Sequence, residues 1–384
     1  MHQPVKPLAA YQPTTHCVKA GYSFITFILY SETMLKQLRY LLVGSLFISF
    51  VYSCKKSGNP PTPPAPPPVI AAPPAFGFYV VGYFPSYRTV SSVPDVKFRM
   101  CNVINYAFAN INSSGSLTLG NSTHLLEVKT KAKANGAKIF ISISGLAADF
   151  KTMAAASGSR TLFISEVMNM VRTYGLDGVD MDWEFPRTDD GTDITYTALM
   201  KQLSDSCHTS AKYYLTAAIT AGKYAGAVRD AIKSELWLGN YVDWFNIMSY
   251  DDFSSTVPYK HHCDYTLATV SMNYWVGTRG LPSSKAVLGI AGYGRPSGIT
   301  QTGTILSYND ILLKGGNPQS DSAIVSNGAF TNYTIYYNGL STVKKKAMLA
   351  KQSGNGIMLW EKSHDAHDNN SLLKAVCDTV GRTY

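Results

Sequence analysis

The run Asp177-Gly-Val-Asp180-Met-Asp182-Trp-Glu184 constrains this chain more than any other stretch. Four carboxylates fall within eight residues, and the last three alternate. In a strand, successive side chains point to opposite faces. Asp180, Asp182 and Glu184 therefore share one face, and Val179, Met181 and Trp183 share the other. Three acids aimed at one place repel one another and must shed water, so the arrangement is a poor structural choice and points to chemistry. With 25 acidic residues in 384, this spacing would arise by chance in about 1% of chains of this length.

The chain is 45% hydrophobic and 15% charged, enough to bury a large core. Its formal charge is +9. Residues 1–53 hold Lys6, Lys19, Lys36 and Arg39 against Glu32, a net +3, which leaves +6 for the remainder. That excess is mild, and no basic stripe interleaves with aromatics, so a nucleic-acid partner is not expected. The N-terminal part reads as targeting and spacer rather than fold. Residues 1–33 are an upstream extension that makes little sense before a signal, and Met34 is the expected start. Residues 34–53 form a signal peptide, with a basic start around Lys36 and Arg39 and an apolar run of 11 residues from Leu41 to Val51. It ends at Cys54, and Val51-Tyr-Ser-Cys54 resembles a bacterial lipoprotein signal. Cys54 is the lipidation site that this resemblance implies, and the implied location is an exported bacterial lipoprotein held at a membrane. Residues 54–75 form a linker. Nine of the fifteen residues from Pro60 to Pro74 are proline, so polyproline II can span up to about 47 Å at ~3.1 Å per residue.

Residues 76–384 carry eight apolar or alternating runs, mostly separated by helix-like stretches. They are Phe78–Tyr83, Val103–Phe108, Lys138–Ser144, Gly178–Asp182, Tyr214–Ala221, Trp244–Met248, Ala286–Gly292 and Gly356–Trp360. Helical spacing is clear at Thr161–Tyr174, Glu127–Asn135 and Ser341–Ser353. This alternation predicts an α/β fold, a (β/α)8 TIM barrel as a single catalytic domain. A doubly wound open sheet is the alternative, but no GxGxxG follows the first strand. Barrel chemistry sits at the C-terminal ends of the strands, and the acids occupy the end of the fourth.

Asp177–Glu184 resembles the DxxDxDxE signature of family 18 glycoside hydrolases, the chitinases and their relatives. The likeness continues in order along the chain. It includes Val80-Val-Gly-Tyr83-Phe, Asn105-Tyr-Ala-Phe108-Ala, Asn246-Ile-Met248-Ser-Tyr250-Asp251, Gly289-Ile-Ala-Gly-Tyr-Gly-Arg295 and Gly356-Ile-Met-Leu-Trp360-Glu. Cleavage of a glycosidic bond needs an acid at the leaving oxygen and a group that stabilises an oxocarbenium-like centre. The resemblance implies a chitinase, a retaining enzyme in which the substrate's own 2-acetamido group is the nucleophile and an oxazolinium ion the intermediate. Glu184 is then the general acid, kept protonated by neighbouring carboxylates. Asp182 holds the acetamide N–H, Asp180 shares a proton or hydrogen bond with Asp182, and Tyr250 donates to the acetamide oxygen. Trp360 floors the sugar, and Met248 and Asp251 shape its pocket. Tyr83, Phe108, Ser142 and Asp177 are grouped with the substrate side, although Asp177 suits the turn entering the strand better. The implied partner is chitin or an N-acetylglucosamine oligosaccharide, with no cofactor, and a monomer is expected. Endo-β-N-acetylglucosaminidase action on N-glycans, or glycan binding without catalysis, are the other readings.

Departures from the family pattern carry expectations of their own. The third strand of the family ends SxGG and Trp, whereas here it reads Ser142-Ile-Ser144-Gly145-Leu146. Serine is acceptable there if its φ is negative, but the missing aromatic removes a stacking platform and argues against processive attack on crystalline chitin. Arg295 to Gly356 looks too short for an α+β insertion that would deepen the cleft. Four cysteines, Cys101, Cys207, Cys263 and Cys377, lie within the barrel region without a CxxC, so one or two disulfides are possible. His261-His-Cys-Asp264 and His364-Asp-Ala-His-Asp368 contain ligand types without zinc spacing and read as solvated loops. Trp237, Trp244 and Trp275 read as packing residues.

Overall fold

The computed structural model describes residues 70–254, 256–257, 259–296 and 302–384. The expected signal peptide, Cys54 and most of the expected linker lie outside the described residues. Eight parallel strands close into a barrel: β1 (Tyr79–Pro85), β2 (Val103–Ile111), β3 (Lys138–Ser144), β4 (Gly178–Met181), β5 (Tyr214–Thr220), β6 (Trp244–Met248), β7 (Ala286–Ala291) and β8 (Gly356–Trp360). Each pairs with its neighbour in sequence, and β1 pairs with both β2 and β8, which closes the ring. All eight predicted runs are strands, with ends shifted by at most a few residues. The three predicted helices run Ser122–Ala134, Ser157–Tyr174 and Leu340–Ser353. The first starts on Asn121, whose side chain accepts from the His124 N–H. The second stops on Gly175, where a φ of +59° is cheap only for glycine.

The strands alternate between two apolar environments. Residues such as Val80, Ile104, Ile141, Val179 and Leu215 face outward into the layer between barrel and helices. Inward-facing side chains fill the barrel itself. Its N-terminal end holds an aromatic cluster: Tyr79 stacks on Trp244 at 4.5 Å, and Phe140 lies 5.5 Å from Tyr214. Phe76 closes this end, stacked on Tyr214 at 5.4 Å. The segment before it is pinned alongside, because Ala71 N–H donates to the His208 carbonyl and the Tyr214 hydroxyl donates to the Pro74 carbonyl.

The connection between β7 and β8 corrects one expectation. It contains a four-stranded antiparallel sheet, in the order Leu306–Ser307, Tyr293–Pro296, Phe330–Tyr336, Ser322–Asn327, with a short helix at Tyr308–Leu313. A small α+β insertion is therefore present. Its hairpin closes through the two-residue loop Gly328-Ala329 between the paired Asn327 and Phe330, with Gly328 at φ +57°. The four cysteines of the barrel are buried free thiols. Trp237, Trp244 and Trp275 are buried as expected, and Trp275 donates its indole N–H to the Thr220 carbonyl.

Candidate active site

The acid run leaves the barrel as an extended chain. Asp180 is the inward residue of β4, and Asp182 continues the alternation with its N–H bonded to the Ile143 carbonyl at 2.9 Å. Val179, Met181 and Trp183 are buried in the outer layer, where Trp183 stacks on Phe150 at 5.0 Å. The predicted division of faces is thus what the fold contains. Burial then grades the three acids. Asp180 is wholly enclosed, Asp182 is nearly so at 4% exposure, and Glu184 is exposed to the cleft.

Asp180 is held by four donors. Tyr83 and Ser142 donate hydroxyls to Oδ2 at 2.6 and 2.8 Å, and Thr216 and Asn246 donate to Oδ1 at 2.5 and 3.1 Å. Burial pushes its carboxyl up, and these hydrogen bonds offset part of that push. Asp182 is raised well above the usual carboxylate range, by burial first and then by the charges of Glu184 and Asp180. Its Oδ1 is buried without a hydrogen-bond partner among the described residues. Glu184 is also raised, by burial and by the charge of Asp251, whereas its hydrogen bond with Asp182 acts in the other direction. The push on Glu184 thus comes from burial and Asp251 rather than from Asp182, and the greatest push falls on Asp182.

These groups open into a cleft of about 560 Å³ at the C-terminal end of the barrel. Tyr83, Phe108, Met248, Tyr250, Asp251 and Trp360 line it together with Asp182 and Glu184. Trp360 forms the apolar floor, stacked on Phe108 at 5.6 Å and edge-on to Tyr83 at 5.4 Å. Tyr250 keeps its proton, because burial and the surrounding carboxylates raise it well above the usual phenol range. Gly289 makes room for it: a Cβ there would lie 2.4 Å from the Ile247 carbonyl and 3.0 Å from the Tyr250 ring. Among the described residues three non-proline peptide bonds are cis, Ala107–Phe108, Glu184–Phe185 and Trp360–Glu361.

Two predicted site residues lie elsewhere. Asp177 sits at the opposite end of β4, where Oδ2 accepts from the Ile139 N–H at 3.0 Å and Oδ1 lies 3.3 Å from Lys138 Nζ. It orders the strand entrance and touches no part of the cleft. Ser142 is fully buried beneath the cleft and acts on Asp180 alone. Ser144 keeps a negative φ and lines the cleft, and Leu146 is 70% exposed at the place of the family's aromatic. Sequence reasoning missed Thr216 and Asn246, which hold Asp180, and the rim residues Lys223, Tyr224, Arg229 and Asp252. The first pair was visible as polar residues in otherwise apolar strands, whereas the rim left no signal.

The two clusters read as solvated loops are solvated only in part: His367 and Asp368 are exposed, but Asp365, His262 and Cys263 are buried. Asp365 is buried and accepts from Lys97 Nζ at 2.6 Å and from the Leu372 N–H at 2.7 Å, anchoring the last helix, Leu372–Val380. His262 and Cys263 are both fully buried behind Asp251. Burial pushes the His262 imidazole down, but Cys263 and Asp251 outweigh it and bring it up to about 9. Burial pushes the Cys263 thiol up, but His262 and His261 bring it down to about 6. Asp251 is likewise pushed up by burial, yet hydrogen bonds from His262, Arg295 and Tyr293 hold it at about 2. Among the described residues no group of three His, Cys, Asp or Glu is placed to hold a metal ion.

The sequence model of glycosyl hydrolases family 18 matches residues 79–365, from the first barrel strand to the buried Asp365. The chain is 26% identical to the probable chitinase 10 of Drosophila melanogaster over 76% of its own length, and spans 15% of that protein. A family 18 chitinase from the chitin utilization locus of Flavobacterium johnsoniae superimposes with a TM-score of 0.64 at 26% identity, covering 79% of this chain and 94% of that one. A family 18 chitinase of Cycas revoluta, solved with (GlcNAc)3, gives a TM-score of 0.67 at 22% identity, covering 79% and 100%. With the acid run, its hydrogen-bonded base and the aromatic floor in their places on one closed barrel, this chain belongs to family 18 of the glycoside hydrolases.

Proposed function

We propose that the protein is a chitinase that hydrolyses β-1,4 bonds between N-acetylglucosamine units with retention and substrate assistance. The observation that carries this reading is Asp182: a nearly buried carboxyl lining the cleft, with Oδ1 unpartnered and its neighbour Glu184 exposed. A buried acceptor left open beside a general acid suits a substrate N–H, and an acetamide supplies one. Glu184 gives its proton to the leaving glycosidic oxygen. The acetamide carbonyl oxygen attacks the anomeric carbon as that bond breaks, and the N–H, more acidic in the resulting oxazolinium ion, is held by Asp182. Tyr250 donates to the acetamide oxygen and fixes its angle of attack. Water then adds to the anomeric carbon, its proton passes to Glu184, and the ring opens with net retention. Trp360 and Phe108 supply an apolar face for the sugar. The matched chitinases, one of them solved with (GlcNAc)3, support chitin-type oligosaccharides as substrate.

The same reading takes the protein to be an exported, monomeric lipoprotein tethered through Cys54, a proposal that rests on residues 34–54 of the sequence. Incubating the protein with a hexamer of N-acetylglucosamine and weighing the products tests the activity. Dimers and trimers are expected. An intact hexamer together with cleavage of a high-mannose glycoprotein would overturn chitinase in favour of N-glycan hydrolysis.

A further inference from the structure

Asp251 follows the β6 strand with a left-handed backbone, φ +61°. Its Oδ1 accepts from the Tyr293 hydroxyl at 2.7 Å and from Arg295 Nη1 at 2.8 Å. On its buried side stands His262, whose Nδ1 accepts from the Asp251 backbone N–H at 3.4 Å and lies 3.5 Å from Oδ1. The His262 carbonyl also accepts from the Asp252 N–H at 2.9 Å, so side chain and backbone grip the same turn. At the far end of the ring, Nε2 is 3.2 Å from Cys263 Sγ. Cys263 is itself anchored. Its carbonyl accepts from Lys346 Nζ and Asn338 Nδ2 at 2.7 and 2.6 Å, and its N–H donates to His261 Nδ1 at 3.1 Å.

Neither His262 nor Cys263 lines the cleft. Both are fully buried, and two ionisable side chains set in line are a costly way to fill space that apolar residues could occupy. Their line ends on a carboxylate that does reach the cleft. We propose that Cys263 and His262 form a positioning relay, in which the thiol fixes the imidazole and the imidazole fixes the carboxylate of Asp251 in the cleft it shares with Glu184. The inference rests on the reading of Glu184 as the acid, because Asp251 is one of the charges that raise it.

The titratable groups facing His262 are Asp251, Cys263, His261 and the Tyr293 ring at 5.2 Å, with Lys346 behind Cys263 and Arg295 beyond Asp251. Asp251 lies below the ordinary carboxylate value, so losing a partner moves its titration upward. In His262→Leu the acidic limb of the kcat/KM profile on the N-acetylglucosamine hexamer should rise by about one pH unit. His262→Asn, which keeps a hydrogen-bonding amide on the Asp251 side, should return the limb towards wild type. Cys263→Ala should shift it in the same direction by less. A purely structural role would lower Tm without moving the limb. The carboxyl 13C resonance of Asp251, assigned with Asp251→Asn, reads the same titration without turnover. Unchanged titration of Asp251 in folded His262→Leu and Cys263→Ala would overturn the relay. A wild type inactive on every N-acetylglucosamine substrate would instead sink the proposed function, while the 13C titration still decides the relay.

Discussion

The two ends of the barrel obey different rules. At the N-terminal end, Phe76, Tyr79, Phe140, Tyr214 and Trp244 pack ring against ring. At the C-terminal end the same strands converge on three carboxylates, one of which has a buried oxygen without a partner. The first end optimises burial, and the second tolerates charges that repel and are desolvated. The contrast teaches that stability and chemistry are separated by about one strand length, so substitutions at the two ends should affect different measurements.

Glu184→Gln should break the upper end most sharply. Turnover falls by about 10²–10⁴-fold, because the proton donor is lost, while oligosaccharide affinity measured by calorimetry is kept. Trp244→Ala tests the lower end. It should cost about 3–5 kcal/mol in denaturant unfolding, with kcat per folded molecule unchanged. A parallel loss of kcat would show that the ends are not separable. Asp182→Asn joins the two measurements. The folded carboxyl is raised above its unfolded value, so wild type is relatively most stable below the unfolded value, about 3.9, and loses that advantage as pH rises. The variant should therefore lose activity yet melt higher at pH 7, by about 2–4 °C, with the gap closing as pH falls towards 4. A lower Tm at pH 7 would mean that Asp182 contributes to stability. The smallest effect is expected at the rim. Leu146→Trp restores an exposed aromatic and should lower KM for long oligomers roughly fivefold, about 1 kcal/mol. No change in KM would show that substrate does not pass over that edge.

The barrel was readable because each strand carries its own signal, alternation bounded by turns, and the acids begin in one such strand and continue its alternation beyond it. Asp180, Asp182 and Glu184 needed only the two-residue period of a strand to be placed together. The residues that tune them come from other parts of the chain. Thr216 reaches Asp180 from the adjacent strand and Asn246 from the one beyond it, and Tyr293, Arg295 and His262 reach Asp251 from two later connections. No local period links such positions, which is why Ser142 and Asp177 were grouped with the substrate and His262 was read as solvated. The insertion was different. The glycine of its turn, Gly328, was present in the sequence, but the flanking strands alternate weakly, with Ile324 pointing outward at 71% exposure.

The pinned segment from Ala71 to Phe76 fixes where the preceding chain leaves the domain. It meets the barrel at its base, through the His208 carbonyl, the Tyr214 hydroxyl and the ring of Tyr214. The chain therefore enters the domain at the pole opposite the cleft. Chain entry and cleft then occupy opposite poles, so the segment that leads into the domain leaves the mouth of the barrel uncovered.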